Sequence, residues 1–122
     1  MLVANLFTIL ESNFNGQQLN AKVEINPENQ LFEGHFPDNP VTPGVIQLQL
    51  VKELLEQELN RELEVLTMSR VKFLAILNPN EVPVVDVVID IKQTEEGQVD
   101  VKAAGSANGV SFFKFYASYV NE

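Results

Sequence analysis

Apolar and polar residues along this chain follow two rhythms, and the boundary between them divides the sequence into strands and one helix. A period of two marks a half-buried strand, because successive side chains on a pleated strand point to opposite faces. Val85, Val87, Ile89 and Ile91 alternate in this way with Asp86, Asp90 and Lys92 across Val82–Gln93. Phe7–Asn13 and Gln18–Ile25 read as a hairpin, with Asn15-Gly16 expected to form a tight primed turn. Leu63–Leu77 reads as a strand closed by the turn Asn78-Pro79-Asn80, and Glu95-Glu96-Gly97 marks the next turn. Gln98–Ser106 and Val110–Val120 then flank a second Asn-Gly pair, Asn108-Gly109. The helical rhythm occurs once. Val45, Leu48, Val51, Leu55 and Leu59 recur at its spacing, and Ile46, Leu50 and Leu54 widen the apolar face. Pro43-Gly44 marks where this helix opens. One long helix among antiparallel strands, covered by them on one side, predicts an α+β layer architecture.

Composition narrows the picture. A length of 122 residues fits one domain spanning 1–122. A domain this small leaves apolar surface uncovered, which a second copy can bury, so a homodimer or higher homo-oligomer is expected. The chain has no cysteine, so disulfides, thiolate metal sites and a cysteine nucleophile are excluded. With a single histidine besides, no metal site is expected. The formal net charge of −9 opposes nucleic-acid binding, which needs a basic surface to displace counterions. Met1–Leu10 lacks the basic region and cleavage site of a signal peptide, and no apolar run approaches the roughly 20 residues of a membrane helix. The expected location is the cytoplasm.

The candidate chemistry lies between the two rhythms, in the run from Phe32 to Val45. It contains the only histidine, His35, among Pro37, Pro40 and Pro43, with Gly34 and Gly44. Prolines restrict the loop, so a side chain on it is held at little further entropic cost. The opening of the helix offers unpaired N–H groups and the positive end of the helix dipole, an arrangement able to polarise a carbonyl. A neutral imidazole beside such a carbonyl can remove a proton from the neighbouring carbon. The residues alone leave a second reading open, in which His35 is a structural histidine in a stiff loop.

Gly34-His35-Phe36-Pro37, followed by Pro40-Val41 and Pro43-Gly44-Val45, resembles the active-site signature of the β-hydroxyacyl-acyl carrier protein dehydratases of the FabZ and FabA type. Val71-Lys72-Phe73, with Pro79 and Glu81 after it, is similar to a second element of that family. The resemblance implies a hot-dog fold, in which an antiparallel sheet wraps one long helix and two domains pair edge to edge, with active sites at the interface. It implies dehydration of a 3-hydroxyacyl thioester to the 2-enoyl thioester, in fatty-acid or related lipid and polyene biosynthesis, without a cofactor. His35 then falls at the position of the catalytic base. The backbone carbonyl of Val41 orients it, and the Gly44 N–H holds the thioester oxygen. Phe36, Val41, Val45 and Phe73 fall at substrate-binding positions.

Two departures bear on that reading. The family places a carboxylate fourteen residues after the histidine, where this chain has Gln49. An amide cannot donate a proton to a leaving hydroxyl as a carboxylic acid can. Three readings are open: Gln49 hydrogen-bonds the hydroxyl while His35 carries the proton; Glu53, one turn on along the same face, substitutes as the acid; or the chain binds acyl thioesters without dehydrating them, as a non-catalytic or heterodimer partner. A hot-dog thioesterase is a further alternative. The second departure concerns the acyl carrier protein, an acidic partner. Leu74 and Ala75 stand where family members carry basic residues, leaving Arg70 and Lys72, with Lys102 or Lys114, to form a docking patch on an acidic chain. A coenzyme A thioester is the alternative substrate form.

Overall fold

The computed structural model describes residues 6–28 and 41–122. Six strands and a helix follow in the order β1 Phe7–Phe14, β2 Gln18–Ile25, α1 Gly44–Leu59, β3 Leu63–Phe73, β4 Val84–Gln93, β5 Val99–Ala107 and β6 Val110–Asn121. The strands form one sheet in the order β1-β2-β4-β5-β6-β3, and every neighbouring pair is antiparallel. The predicted α+β architecture, a sheet wrapped on one long helix, is the one observed.

The period-two pattern maps onto the inner face of the sheet. Leu19, Val23 and Ile25 of β2, Val85, Val87 and Ile89 of β4, Val99 and Ala103 of β5, and Phe113, Phe115 and Tyr119 of β6 are buried. Against them α1 presents Ile46, Leu50, Val51, Leu54 and Leu55. Each such side chain, removed from water, contributes about 1.5–3 kcal/mol, which is what holds the helix on the sheet. The helix has no Pro or Gly after its first residue, Gly44, and ends at Asn60, whose left-handed φ of 54° stops it. Glu56 then ties that end to the sheet, its Oε2 accepting the Leu63 N–H at 2.8 Å.

Several sequence expectations are corrected. Asn108 and Gly109 both take positive φ, 51° and 80°, between the paired residues Ala107 and Val110, as a primed two-residue turn requires. The Asn15-Gly16 loop does not repeat this, since only Gly16 is left-handed, at φ 96°. Asn15 acts through its side chain instead, with Oδ1 accepting the N–H groups of Gln17 and Gln18 at 2.9 and 2.8 Å. The strand predicted over Leu63–Leu77 ends at Phe73. Beyond Leu63, β3 is poorly buried, because it is the sheet's last strand and lies past the reach of the core. Val45, counted on the apolar helix face, is 68 % exposed.

Tyr119 is fully buried on β6, and its hydroxyl has no partner among the described residues. Burial pushes the phenol from 10.0 up to about 12. The unfolded chain therefore ionises this group first, so native stability falls as pH rises from about 10 to about 12, by roughly 1.4 kcal/mol per unit of separation. Urea titrations across that range should show this alkaline loss, and Tyr119→Phe should reduce it while leaving stability at neutral pH equal or higher.

Candidate active site

The site is built around the start of α1. Pro43 forms the N-cap with φ −58° and ψ 149°, and no side chain among the described residues caps the first turn. The N–H groups of Ile46 and Gln47 both donate to the Pro43 carbonyl, at 3.0 and 3.2 Å. The N–H groups of Gly44 and Val45, ahead of them, have no carbonyl of the helix to reach. At this turn lies a cleft of about 450 Å³, bounded by Val41, Thr42, Pro43, Gly44 and Gln47 on one side and by Phe73 to Leu77 on the other. Three residues singled out from the sequence, Val41, Gly44 and Phe73, are thus brought to one cleft from two distant parts of the chain.

Gly44 and Phe73 are matched to each other. A Cβ added at Gly44 would lie 2.6 Å from Phe73 Cζ and 2.7 Å from Cε2, well inside van der Waals contact, so the ring would have to shift. The glycine thus permits the close approach of an aromatic ring, with its conformation an ordinary helical one. Phe73 is not the core residue that its size suggests, being 48 % exposed. One side of the ring covers the helix start and the rest faces outward, where Leu74 and Ile76 are also exposed.

The other candidates are placed elsewhere. His35 and Phe36 lie outside the described residues. Gln49 is half-buried and lines neither this cleft nor the one next described. Glu53, expected as a solvated residue or a substitute acid, has its Oε2 buried without a partner among the described residues. It faces a second cleft of about 360 Å³ with Phe7, Ile9, Leu50 and Leu54. Burial, reinforced by nearby Glu56, pushes its carboxyl above the ordinary value, the direction a proton donor needs. Its cleft is nonetheless distinct from the one at Gly44 within a single protomer. Val45 does not line the Gly44 cleft.

Arg70 and Lys72 lie at an irregularity of β3, where the pairing with β6 shifts between Ser69 and Lys72 and Arg70 takes φ 52°. The Arg70 guanidinium stands 5.6 Å from the Tyr116 ring centre, and the Lys102 ammonium 6.0 Å from it. Lys72 pairs in register with Lys114. Four of the chain's eight basic side chains are thus gathered around one stretch of β3, β5 and β6, next to Phe73 at the cleft.

Gln47 was missed from sequence. It is 3 % exposed, and its Nε2 donates to the Thr42 carbonyl at 3.0 Å. The available signal was its position: it falls in the row of Val51 and Leu54, on the apolar side of the helix, where a polar residue needs a reason.

A sheet wrapped on a helix, with a cleft at the helix start, defines a hot-dog protein, and comparison with known proteins agrees. The model of the ApeI-like family, described as ApeI dehydratase, matches residues 11–111. The chain belongs to the ApeI-like dehydratase family. It is 31% identical over 90 residues to the 3-hydroxyacyl-acyl-carrier-protein dehydratase FabZ of Rickettsia canadensis, a match that covers 67% of this chain and 62% of that protein. This chain therefore spans less than two thirds of that relative's length. Among solved structures, a chain of the dehydratase heterocomplex ApeI:P from Xenorhabdus doucetiae superposes with a TM-score of 0.76 at 16% identity, covering 93% of this chain and 97% of that one. The mutant thioesterase PA1618 of Pseudomonas aeruginosa follows the same fold, with a TM-score of 0.62 at 12% identity, covering 95% and 82%.

If the Phe73 ring over Gly44 shapes the cleft, the two positions must be energetically coupled. Gly44→Ala should cost about 1–3 kcal/mol in the presence of Phe73, and markedly less in a Phe73→Ala background. A double-mutant cycle by urea denaturation reads this, and additive losses would contradict the contact.

Proposed function

We propose that residues 1–122 act as one hot-dog dehydratase domain that removes water from a 3-hydroxyacyl thioester, carried on an acyl carrier protein, to give the 2-enoyl thioester in the cytoplasm. The observation that carries this reading is the cleft where Val41, the start of α1 at Gly44 and the Phe73 ring meet, directly after the loop that holds His35. The family membership supports the reaction class.

In this reading the thioester oxygen sits at the Gly44 N–H, an amide left open by the helix and aligned with its dipole. That hydrogen bond stabilises the negative charge that develops as the C2 proton departs. Neutral His35 accepts this proton. The C3–O bond then breaks, the electron pair from C2 forms the C2–C3 double bond, and the hydroxyl takes one proton to leave as water. One proton leaves carbon and one reaches oxygen, so a single imidazole can serve both steps; Gln49 does not line this cleft in its own protomer, so it reaches the hydroxyl or a water only from across a dimer interface. Phe36 and Phe73 line the path of the acyl chain, whereas Val45 points away from it into solvent. Glu53 remains the substitute acid, contributed across a dimer interface if it acts at all, because its cleft in the same protomer is a different one.

The carrier protein docks on the basic stretch of Arg70, Lys72, Lys102 and Lys114. The net charge of −9 repels an acidic partner at long range, but salt screens that field beyond about 8–10 Å, and four local cations act at contact. The patch lies next to Phe73, so a tethered thioester has a short route into the cleft. A second chain is also required. Among the described residues strand β3 pairs only with β6, and it carries exposed Val65, Leu66 and Val71. An open apolar edge of this kind is satisfied by pairing with the same edge of another copy.

Purified protein given a 3-hydroxyacyl thioester should produce the conjugated enoyl product, read by its absorbance, and His35→Ala should abolish it. Gln49→Glu should raise the rate if the missing carboxylate limits turnover, and an unchanged rate directs attention to Glu53. Absence of enoyl product from both carrier-protein and coenzyme A substrates would refute the dehydratase reading, and release of free thiol instead would favour the thioesterase.

Light scattering at micromolar concentration should give a dimer mass that Leu66→Asp shifts towards monomer. A wild-type monomer would contradict self-pairing and favour a different partner chain, as in the Xenorhabdus heterocomplex.

A further inference from the structure

Gln47 is costly where it stands. Its amide oxygen is buried without a partner among the described residues, and so is the hydroxyl of Thr42, which is 2 % exposed. An apolar side chain of the same length would remove the orphaned oxygen and pack equally well, so stability alone does not account for a glutamine. What an apolar side chain could not do is donate to the Thr42 carbonyl, and this donation fixes the orientation of the amide: Nε2 faces Thr42.

That bond completes a two-sided grip. The Thr42 N–H donates to the Leu77 carbonyl at 2.8 Å, on the far side of the cleft, and the Thr42 carbonyl receives Gln47 Nε2 at 3.0 Å. With both backbone polar groups of Thr42 engaged, one in each flanking peptide unit, and with Pro43 next in line at a ring-restricted φ, little rotation remains between Val41 and Gly44. The two backbone groups assigned to the chemistry, the Val41 carbonyl and the Gly44 N–H, lie on either side of the gripped residue. Among the described residues, no side chain caps the helix start to do this in another way.

We propose that Gln47 is a positioning residue: by latching the Thr42 carbonyl it fixes the Val41–Gly44 corner, and with it the direction in which the Gly44 N–H meets the thioester oxygen. The catalytic part of this inference rests on the dehydratase reading; the latch itself does not. The departure at Gln49 gives the latch added weight, since a site lacking the carboxylate relies more on its remaining preorganised donor.

The test uses full-length protein labelled with ¹⁵N. In Gln47→Met, which keeps length and burial, Thr42 amide hydrogen exchange should accelerate by roughly tenfold or more, while core amides of β4 and β5 exchange as in wild type. With a 3-hydroxyacyl thioester, kcat should fall by about 10- to 100-fold with KM near the wild-type value, the signature of a misaimed group that acts in the transition state. Gln47→Glu supplies an internal control if the methionine variant folds poorly. Its protonated carboxyl can donate to Thr42 and its carboxylate cannot, so Thr42 protection, corrected for intrinsic exchange, should be present at low pH and lost as the carboxyl ionises. Unchanged Thr42 exchange in Gln47→Met, or pH-independent protection in Gln47→Glu, overturns the latch whether or not the protein turns over substrate. Faster exchange with unchanged kcat overturns its catalytic role. A wild-type protein without enoyl product refutes the functional reading separately, leaving the exchange measurement to decide the latch.

Discussion

The close approach of the Phe73 ring to the Cα of Gly44 is the contact on which the rest of the candidate site depends. It binds the first turn of α1 to the last residue of the edge strand β3, two segments that share few other contacts. Because the ring occupies the volume of a Cβ, any other residue at position 44 would displace the ring from the helix start. The same ring covers the backbone of a turn whose N–H groups have no intrahelical partner. A polar backbone at the floor of an apolar, partly covered cleft is favourable for an oxyanion, since hydrogen bonds and dipoles act more strongly where water is kept out. The architecture thus supplies a donor without any charged side chain.

This economy gives meaning to what the site lacks. A second, carboxylic proton donor is expected of the family, yet position 49 carries an amide. The carboxylate nearest to it along the helix face, Glu53, opens onto a cleft formed with β1. Burial there raises the affinity of Glu53 for its proton, which is chemically apt but spatially remote from Gly44 within one protomer. The proposed chemistry relies on one imidazole and one backbone amide and so makes heavy demands on geometry. The double hold on Thr42, through hydrogen bonds alone, ties the corner to Leu77 on one side and to the helix on the other, as that proposal needs.

Charge is organised on a different length scale. The chain is strongly acidic overall, but half of its basic residues collect where β3, β5 and β6 run side by side. Tyr116 gives this cluster a structural centre, with two cations near its ring. Lys72 opposite Lys114 is unfavourable in isolation, as like charges across a strand pair repel, so an anion placed between them would relieve rather than create strain. Net charge governs encounter at low salt, whereas such a cluster governs contact, and the two need not share a sign.

The amino-acid sequence by itself determined the elements and their kind. Strands β2, β4, β5 and β6 each bury one face, so a period of two was written into their residues, and the helix announced itself by its 3.6-residue period. The Asn108-Gly109 turn was equally legible, because its geometry demands positive φ twice in succession. The resemblance of the run before α1 also pointed to Val41 and Gly44, and that of Val71-Lys72-Phe73 to Phe73, without indicating how Phe73 meets the helix. Only the tertiary structure decided which side chains lie inside and which groups converge. Val45 reads as part of the apolar helix face and is exposed, Phe73 is half-exposed with its ring against the helix start, and Glu53, read as a substitute acid, opens onto a different cleft. Gln47 reads as an ordinary polar helix residue until Thr42 is seen beside it. The reason is physical: periodicity records the average environment of a face, whereas a close approach or a single buried hydrogen bond depends on where a distant segment comes to rest.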